Sequence, residues 1–447
     1  MSELNLSYNS NLFSADKNAS ILVVIGGGAA GFFCAVNAAR MNASLKVIII
    51  EKSNKLLSKV KISGGGRCNV THACFDIAEL VKRYPRGQNF LKKSFHWFNT
   101  KDTISWFEER GVQLKTEADG RMFPVTDNSQ TVIECLIKEA NKYSVTILMN
   151  RNVQNIEVRN SSEEIINNNS EILKEKQSKK DKKFRIYFSD FEFIDSDFIC
   201  IATGGYPKSS QFDWLRRLGY TIEEPVPSLF TFNMPGNALT DLMGVSVENA
   251  IVKIVGSKLN AEGPLLITHW GMSGPAVLKL SAWGARELAE RNYHFFILIN
   301  WLHNYTGQTL KEAWHKLRNE FAAQKISNKN PFKLPNRLWL YFLKLAGIDE
   351  QKNWSELLAK EQNNLIQLLT AQTFEVKGKT TFKEEFVTSG GIKLSEIDPN
   401  TMQSKKLENL FFAGEVMDID GITGGYNFQN AWTSGYIAAK AIAERAG

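Results

Sequence analysis

The stretch from residue 21 to residue 51 constrains the fold most. Ile21–Ile25 is an uninterrupted apolar run, as a strand buried on both faces of a parallel sheet requires. GGGAAG follows at 26–31, then a small-residue stretch to Met41 with helical spacing, then a second apolar run, VIII at 47–50, and Glu51. Strand, glycine turn, helix and strand within some thirty residues form a βαβ unit. In such a unit each glycine has its own reason. Gly26 lets the chain turn out of the strand, Gly28 lets backbone approach a pyrophosphate, and Gly31 lets helix and strand pack closely. Ala29 and Ala30 open the helix, whose unpaired N–H groups and positive dipole favour phosphate. Glu51, twenty residues beyond Gly31, sits where a carboxylate accepts ribose hydroxyls. The expectation is a dinucleotide site.

Further glycine clusters end other apolar runs: ATGG at 202–205, after the strand 198–202, and AGEVMDIDGITGGYNFQNAW at 413–432, after the strand 410–413. Several chain-distant glycine loops at one sheet edge suit a long ligand such as FAD better than NAD. Gly424 and Gly425 open the last helix, expected over 428–445, whose N-terminus would oppose the negative charge of reduced flavin.

The rest of the chain reads as follows. Residues 1–19 form a polar tail. Helices are expected at 88–111 and 129–143, and strands at 145–158 and 184–188, joined by a lysine-rich loop at 160–183. Composition shifts after 205. Strands are expected at 228–233, 249–256 and 295–301, and helices at 307–323 and 355–372, without a second glycine fingerprint. The simplest arrangement is α/β: a Rossmann-type domain built from 20–205 and 384–447, interrupted by a mainly β plus helical domain at 206–383.

Composition excludes other classes. At 43% hydrophobic and 23% charged, 447 residues can bury a full core without staples. Five cysteines, none in CxxC or CxxH spacing, argue against a disulfide framework and a structural zinc, and suggest a reducing, cytoplasmic address. No apolar run is long enough to span a membrane. A net charge of +7 spread over this length reads as a solvated surface rather than a nucleic-acid interface. No clustered metal-ligand set and no GxSxG elbow is present.

The segments KISGGGRCNVTH (61–72), GRMFPVTDNSQTVI (120–133), THWGMSGPAVLKLS (268–281), VTSGGI (387–392) and FFAGEVMDIDGITGGYNFQNAWTSGYIA (411–438) together resemble the aminoacetone-oxidase family of FAD-binding enzymes, NAD(P)/FAD-dependent oxidoreductases that include 3-dehydro-bile-acid reductases. One departure is His72, where that family more often has Asn. The resemblance, from about residue 20 onward, implies a glutathione-reductase-like domain with non-covalent FAD. Its flavin contacts would fall on Gly26, Gly28, Ala29, Ala30, Gly31, Glu51, Lys52, Arg67, Cys68, Thr203, Gly204, Gly414, Glu415, Asp420, Gly424, Gly425, Tyr426 and Asn427. Val153 would offer backbone to adenine. Arg67 suits phosphate or an anionic group beside the ring, and Asp420 or Glu415 suits ribityl hydroxyls.

Catalytic candidates are Cys68, as a lone thiol near the flavin, and His269, as a pocket acid or base. The five-residue gap to Cys74 does not match a disulfide-reductase pair. Met272 and Ser273 are proposed as cleft-wall residues. The reading is an FAD-dependent oxidoreductase acting on a small molecule, reduced by transient NAD(P)H and reoxidised by an organic acceptor or oxygen. Two alternatives stand beside it: an amine oxidase without a nicotinamide site, and a flavin-binding RNA-associated or sensor protein.

Overall fold

In the computed structural model, the residues described are 19–159, 165–166, 172–173, 183–189, 192–381 and 387–447. The tail at 1–18 and most of the lysine-rich loop lie outside them.

The central sheet is parallel and takes strands from both ends of the chain. Its strands are β1 (Ile21–Ile25), β2 (Lys46–Ile50), β3 (Thr146–Leu148), β4 (Phe198–Ile201) and β5 (Leu410–Phe412), in the order β5-β4-β1-β2-β3. Register is fixed by Val23 opposite Ile48 and Ile199, and by Cys200 opposite Phe411. α1 (Ala29–Met41) and α2 (Tyr426–Ala446) cross on this sheet. They approach closely because Gly435 has no side chain: a Cβ there would come 2.7 Å from the Ala30 carbonyl oxygen.

A seven-stranded sheet of antiparallel pairs, from residues 231–380, forms the second unit. Helices Gly307–Glu320, Asn336–Ala346 and Ala359–Ala371 supply the rest of its core, around the buried indoles of Trp301, Trp314, Trp339 and Trp354. The chain leaves the first unit along Ile222–Ser228 and returns along Val387–Ile392, and these two segments pair antiparallel. The passage into the second core thus comes later than 206: Phe212, Leu215 and Tyr220 pack with the first. Composition alone could not divide them, since these residues are as apolar as either core.

Two expected elements are split. The helix expected over 88–111 is two helices, Gln88–Ser94 and Thr100–Glu108, because Asn99 caps the second with Asp102 reaching back in a capping box. The strand expected over 145–158 divides into β3 and Asn155–Val158, which pairs with Phe184–Tyr187 in a separate small sheet.

Candidate functional site

A cavity of about 670 Å³ opens at the C-terminal edge of the parallel sheet, where it meets the second unit. The turn after β1 forms its floor. Gly26 (φ +118°) is wedged between β2 and β4: its N–H donates to the Ile50 carbonyl at 2.8 Å, and a Cβ would come 2.3 Å from the Ala202 carbonyl oxygen. Gly31 carries no cavity surface; a Cβ there would meet the Gly26 oxygen at 1.9 Å, so its role is helix–strand packing. Gly28 differs from both. It caps α1 and faces open space, with no atom within 4 Å of the point a Cβ would occupy.

Glu51 lines the cavity and ties the turn down. Its Oε2 accepts from Gly27 N–H at 2.9 Å, and its Oε1 accepts from the Ser53 N–H and hydroxyl at 2.9 and 2.8 Å. Lys52, Ala29, Ala30, Thr203 and Gly204 join it. On the opposite side are Gly414, Glu415, Gly424, Gly425 and Asn427. Glu415 accepts from Lys59 Nζ at 2.6 Å and from Thr388 N–H at 2.8 Å, while the Asn427 amide holds Gly421 through both its N–H and its C=O. The second unit contributes Thr231, Ser273 and Leu278, and the segments that connect the two units contribute Leu229 and Thr381. Val153 lies in a smaller adjoining cleft with Thr203, Tyr206 and Trp214.

Several expected site residues are elsewhere. Arg67 turns away from the cavity to pair with Glu117 at 2.6 Å and to lie over the Phe123 ring, 4.0 Å from its centroid. Cys68 is fully buried outside the cavity lining, and burial pushes its thiol up to about 12, so it supplies no thiolate at neutral pH. Asp420, proposed for ribityl hydroxyls, is fully buried and bound to Arg86 and Ser228; nothing of it lines the cavity. Tyr426 is buried against His72, although its neighbours on both sides line the cavity. His269 is exposed, packed edge-on against Trp270, and does not line this cavity. Met272 is buried inside its sheet while Ser273 lines the cavity, as strand alternation dictates.

The structure also adds residues that the sequence did not single out: Lys55, Lys59, Arg121, Phe428 and Asn430. Asn430 was findable, since it stands three residues after Asn427 on a helix and so shares its face.

The lining can be tested against a bound dinucleotide on this chain's own features. Gly28 and Gly204 leave space that side chains would fill. The Asn430 side-chain amide oxygen is buried without a partner, and its residue lines the cavity; such an acceptor calls for a donor. Both features fit. Among the described residues, no group of three or more His, Cys, Asp or Glu side chains is placed to hold a metal, and no helix is long and apolar enough to cross a membrane.

Residues 20–441 match the HI0933-like protein Rossmann domain. The chain belongs to this family. HI0933-like proteins form a flavoprotein family of Rossmann type. This HI0933-like chain is 26% identical over 431 residues to a 3-dehydro-bile acid delta(4,6)-reductase of Clostridium scindens, covering 94% of this chain and 98% of that protein. It is 27% identical to a ribosomal RNA dihydrouridine synthase of Haemophilus influenzae (95% and 98% covered) and 28% identical to one of Escherichia coli (94% and 96%). None of these three is an aminoacetone oxidase, so the resemblance holds at the level of flavoprotein oxidoreductases and not of that activity.

Proposed function

We propose that this protein is an FAD-dependent oxidoreductase, glutathione-reductase-like in its cofactor domain, that reduces a carbon–carbon double bond conjugated to a carbonyl. The observation that carries the reading is the continuous cavity joining the Gly28 turn, Glu51 and the opening of α2 to the second unit's wall. The relatives' names add the substrate chemistry. A delta(4,6)-reductase of a 3-dehydro bile acid and a dihydrouridine synthase both saturate a double bond beside a carbonyl.

FAD, when bound, supplies a ring that takes up two electrons as hydride and passes them on. The chain's own residues do the rest. Backbone at Gly28 and the N-terminus of α1 receive the pyrophosphate, and Glu51 accepts from ribose hydroxyls. Gly424, Gly425 and the N-terminus of α2 oppose negative charge at the far end, and Asn430 offers its unpartnered side-chain amide oxygen. Leu229 and Leu278 exclude water, while the Ser273 hydroxyl holds the polar end of a substrate; the Thr231 hydroxyl is taken by the Trp270 indole and the Thr380 carbonyl. NAD(P)H is proposed as the electron donor, entering the same cleft in turn with the substrate, because residues 206–383 carry no second glycine fingerprint.

An RNA substrate is the second reading. It is favoured by Lys52, Lys55 and Lys59, all exposed and all lining the cavity, in a chain with net charge +7.

The test begins with the visible spectrum. Purified protein should be yellow, and acid should release FAD into the supernatant. Anaerobic NADPH or NADH should bleach it, and either a 3-keto-4,6-diene steroid or unmodified ribosomal RNA should restore the colour. Protein that cannot be reconstituted with FAD would overturn the reading. Flavin inert to both nicotinamides but reduced by an amine would move it to an amine oxidase.

A further inference from the structure

The GGGRCNVTH segment was expected to touch the cofactor through Arg67 and Cys68, and neither lines the cavity. The four residues that follow do something else: they fasten the opening of α2. The Asn69 amide, oriented to match its surroundings, accepts from Gly425 N–H at 3.0 Å and donates to the Thr71 carbonyl at 2.9 Å. The Val70 carbonyl accepts from the Trp432 indole at 2.9 Å, and the Thr71 hydroxyl donates to Gln429 at 2.6 Å. His72 completes the set. Its Nδ1 lies 3.1 Å from the Gly424 carbonyl oxygen, and its ring stacks on Tyr426 with centroids 4.7 Å apart.

The chemistry of that contact fixes the proton. A carbonyl oxygen only accepts, so Nδ1 must carry the hydrogen and Nε2 is bare when the ring is neutral. Burial lowers the pKa of the ring, against the pull of the Gly424 carbonyl and Asp119, with Arg83 and Arg121 adding to the lowering. The ring has little freedom. Tyr426 covers one face, and the Gly120 backbone closes the Nε2 edge so tightly that a Cβ there would come 2.5 Å from it. Gly424 (φ +126°) and Gly425 (φ +94°) adopt left-handed angles that glycine reaches without strain, and at Gly425 a Cβ would come 2.6 Å from the Thr71 carbonyl oxygen. Both line the cavity; His72 does not.

We propose that His72 is a positioning residue: its Nδ1–H bond to Gly424 and its stack on Tyr426 set the Gly424–Gly425 turn, and through it the affinity and electron uptake of the group bound at the opening of α2. The proposal rests on the FAD reading above. His72→Phe keeps a ring on Tyr426 and removes the donor. Asn restores a donor at the same side-chain depth.

The test compares wild type, His72→Phe and His72→Asn as holoproteins. For His72→Phe, the FAD dissociation constant should rise about five- to tenfold, the worth of one hydrogen bond, and the flavin midpoint potential should become more negative. His72→Asn should return both close to wild type. Wild-type affinity and potential in His72→Phe would overturn the proposal, as would a His72→Asn protein impaired as much as His72→Phe. Should the Phe variant not fold, histidine-selective ¹⁵N NMR of the wild type decides instead. A protonated Nδ1 with a bare Nε2 at neutral pH supports the assignment, and a bare Nδ1 overturns it. Failure of the FAD reading would look different, since the wild type itself would bind no flavin.

Discussion

Replacing Arg86 by Met should expose how the two units are held together. Arg86 reaches between them: its guanidinium pairs with Asp420 through two nitrogens, donates to the Ala282 carbonyl at 2.6 Å and approaches the Ser228 hydroxyl at 3.4 Å. Asp420 is fully buried, and burial raises its carboxyl to about 6 even with Arg86 and Ser228 opposing the shift. Methionine fills much of the volume and leaves the carboxylate only the Ser228 hydroxyl. Removing one partner of a buried pair costs about 3–5 kcal/mol, because the remaining charge stays out of water uncompensated. That cost should depend on pH with a definite sign. A carboxyl whose folded pKa exceeds its unfolded value of about 4 keeps a proton that the unfolded chain has shed, so its contribution to stability falls as pH rises from about 4 through the folded pKa. Losing Arg86 raises the folded pKa further. At pH 5 both proteins hold Asp420 neutral, and the variant should lose only the hydrogen bonds, about 1 kcal/mol each. At pH 7.5 the full penalty should appear. Urea unfolding at both pH values measures it. The double variant Arg86→Met/Asp420→Leu should recover most of the loss at pH 7.5. A cost equal at the two pH values, or a double variant no better than the single one, would refute the buried-charge reasoning.

Three further outcomes are expected. Glu51→Gln should weaken FAD binding by about ten- to a hundredfold, since Glu51 ties down the Gly27 turn and, on the proposed reading, is also the charged acceptor for the ribose; unchanged affinity in a fluorescence titration would separate Glu51 from the ribose. Native protein at pH 8 should leave Cys68 unlabelled by a thiol reagent, while half-exposed Cys74 reacts first and all five cysteines react in denaturant; mass mapping of a labelled Cys68 would contradict its burial. Ser273 lines the cavity, so on the proposed reading, in which nicotinamide and substrate use the same wall, Ser273→Trp should slow flavin reduction and reoxidation together; stopped-flow traces with only one half-reaction affected would show two separate pockets.

What the sequence reveals about this site follows a physical divide. Backbone-driven features are legible. The turn at 26–31 is written in glycines because Gly26 and Gly31 have no room for a Cβ, and β1, β2 and β4 are written as apolar runs because both their faces are covered. Side-chain direction on an irregular loop is not legible. Gly64, Gly65, Gly66 and Cys68 all have positive φ, and this coil turns Arg67 toward Glu117 and Phe123 and sinks Cys68 into the core. No periodicity encodes that. Asp420 misleads for a related reason: a carboxylate among glycines suggests a ligand contact, while its partner Arg86 is 334 residues away in sequence. The break between the helices at 88–94 and 100–108 was readable, because Asn99 with Asp102 three residues on is a capping signal inside an otherwise continuous apolar pattern.

The placement of β5 and α2 has a consequence for biosynthesis. Translation delivers β1, β2 and β4 long before β5 pairs with β4 and before α2 lies down on α1. Until residues 410–446 are made, the β4 edge that takes β5 and the flank of α1 that takes α2 have no partner in the chain. The turn at 26–31 and Glu51 are made early, but the other wall of the cavity arrives with residues 413–431. On the proposed reading, cofactor capture waits for residues 413–431. Chains that stall or are cut before residue 410 should present chaperones and proteases with an unfinished sheet.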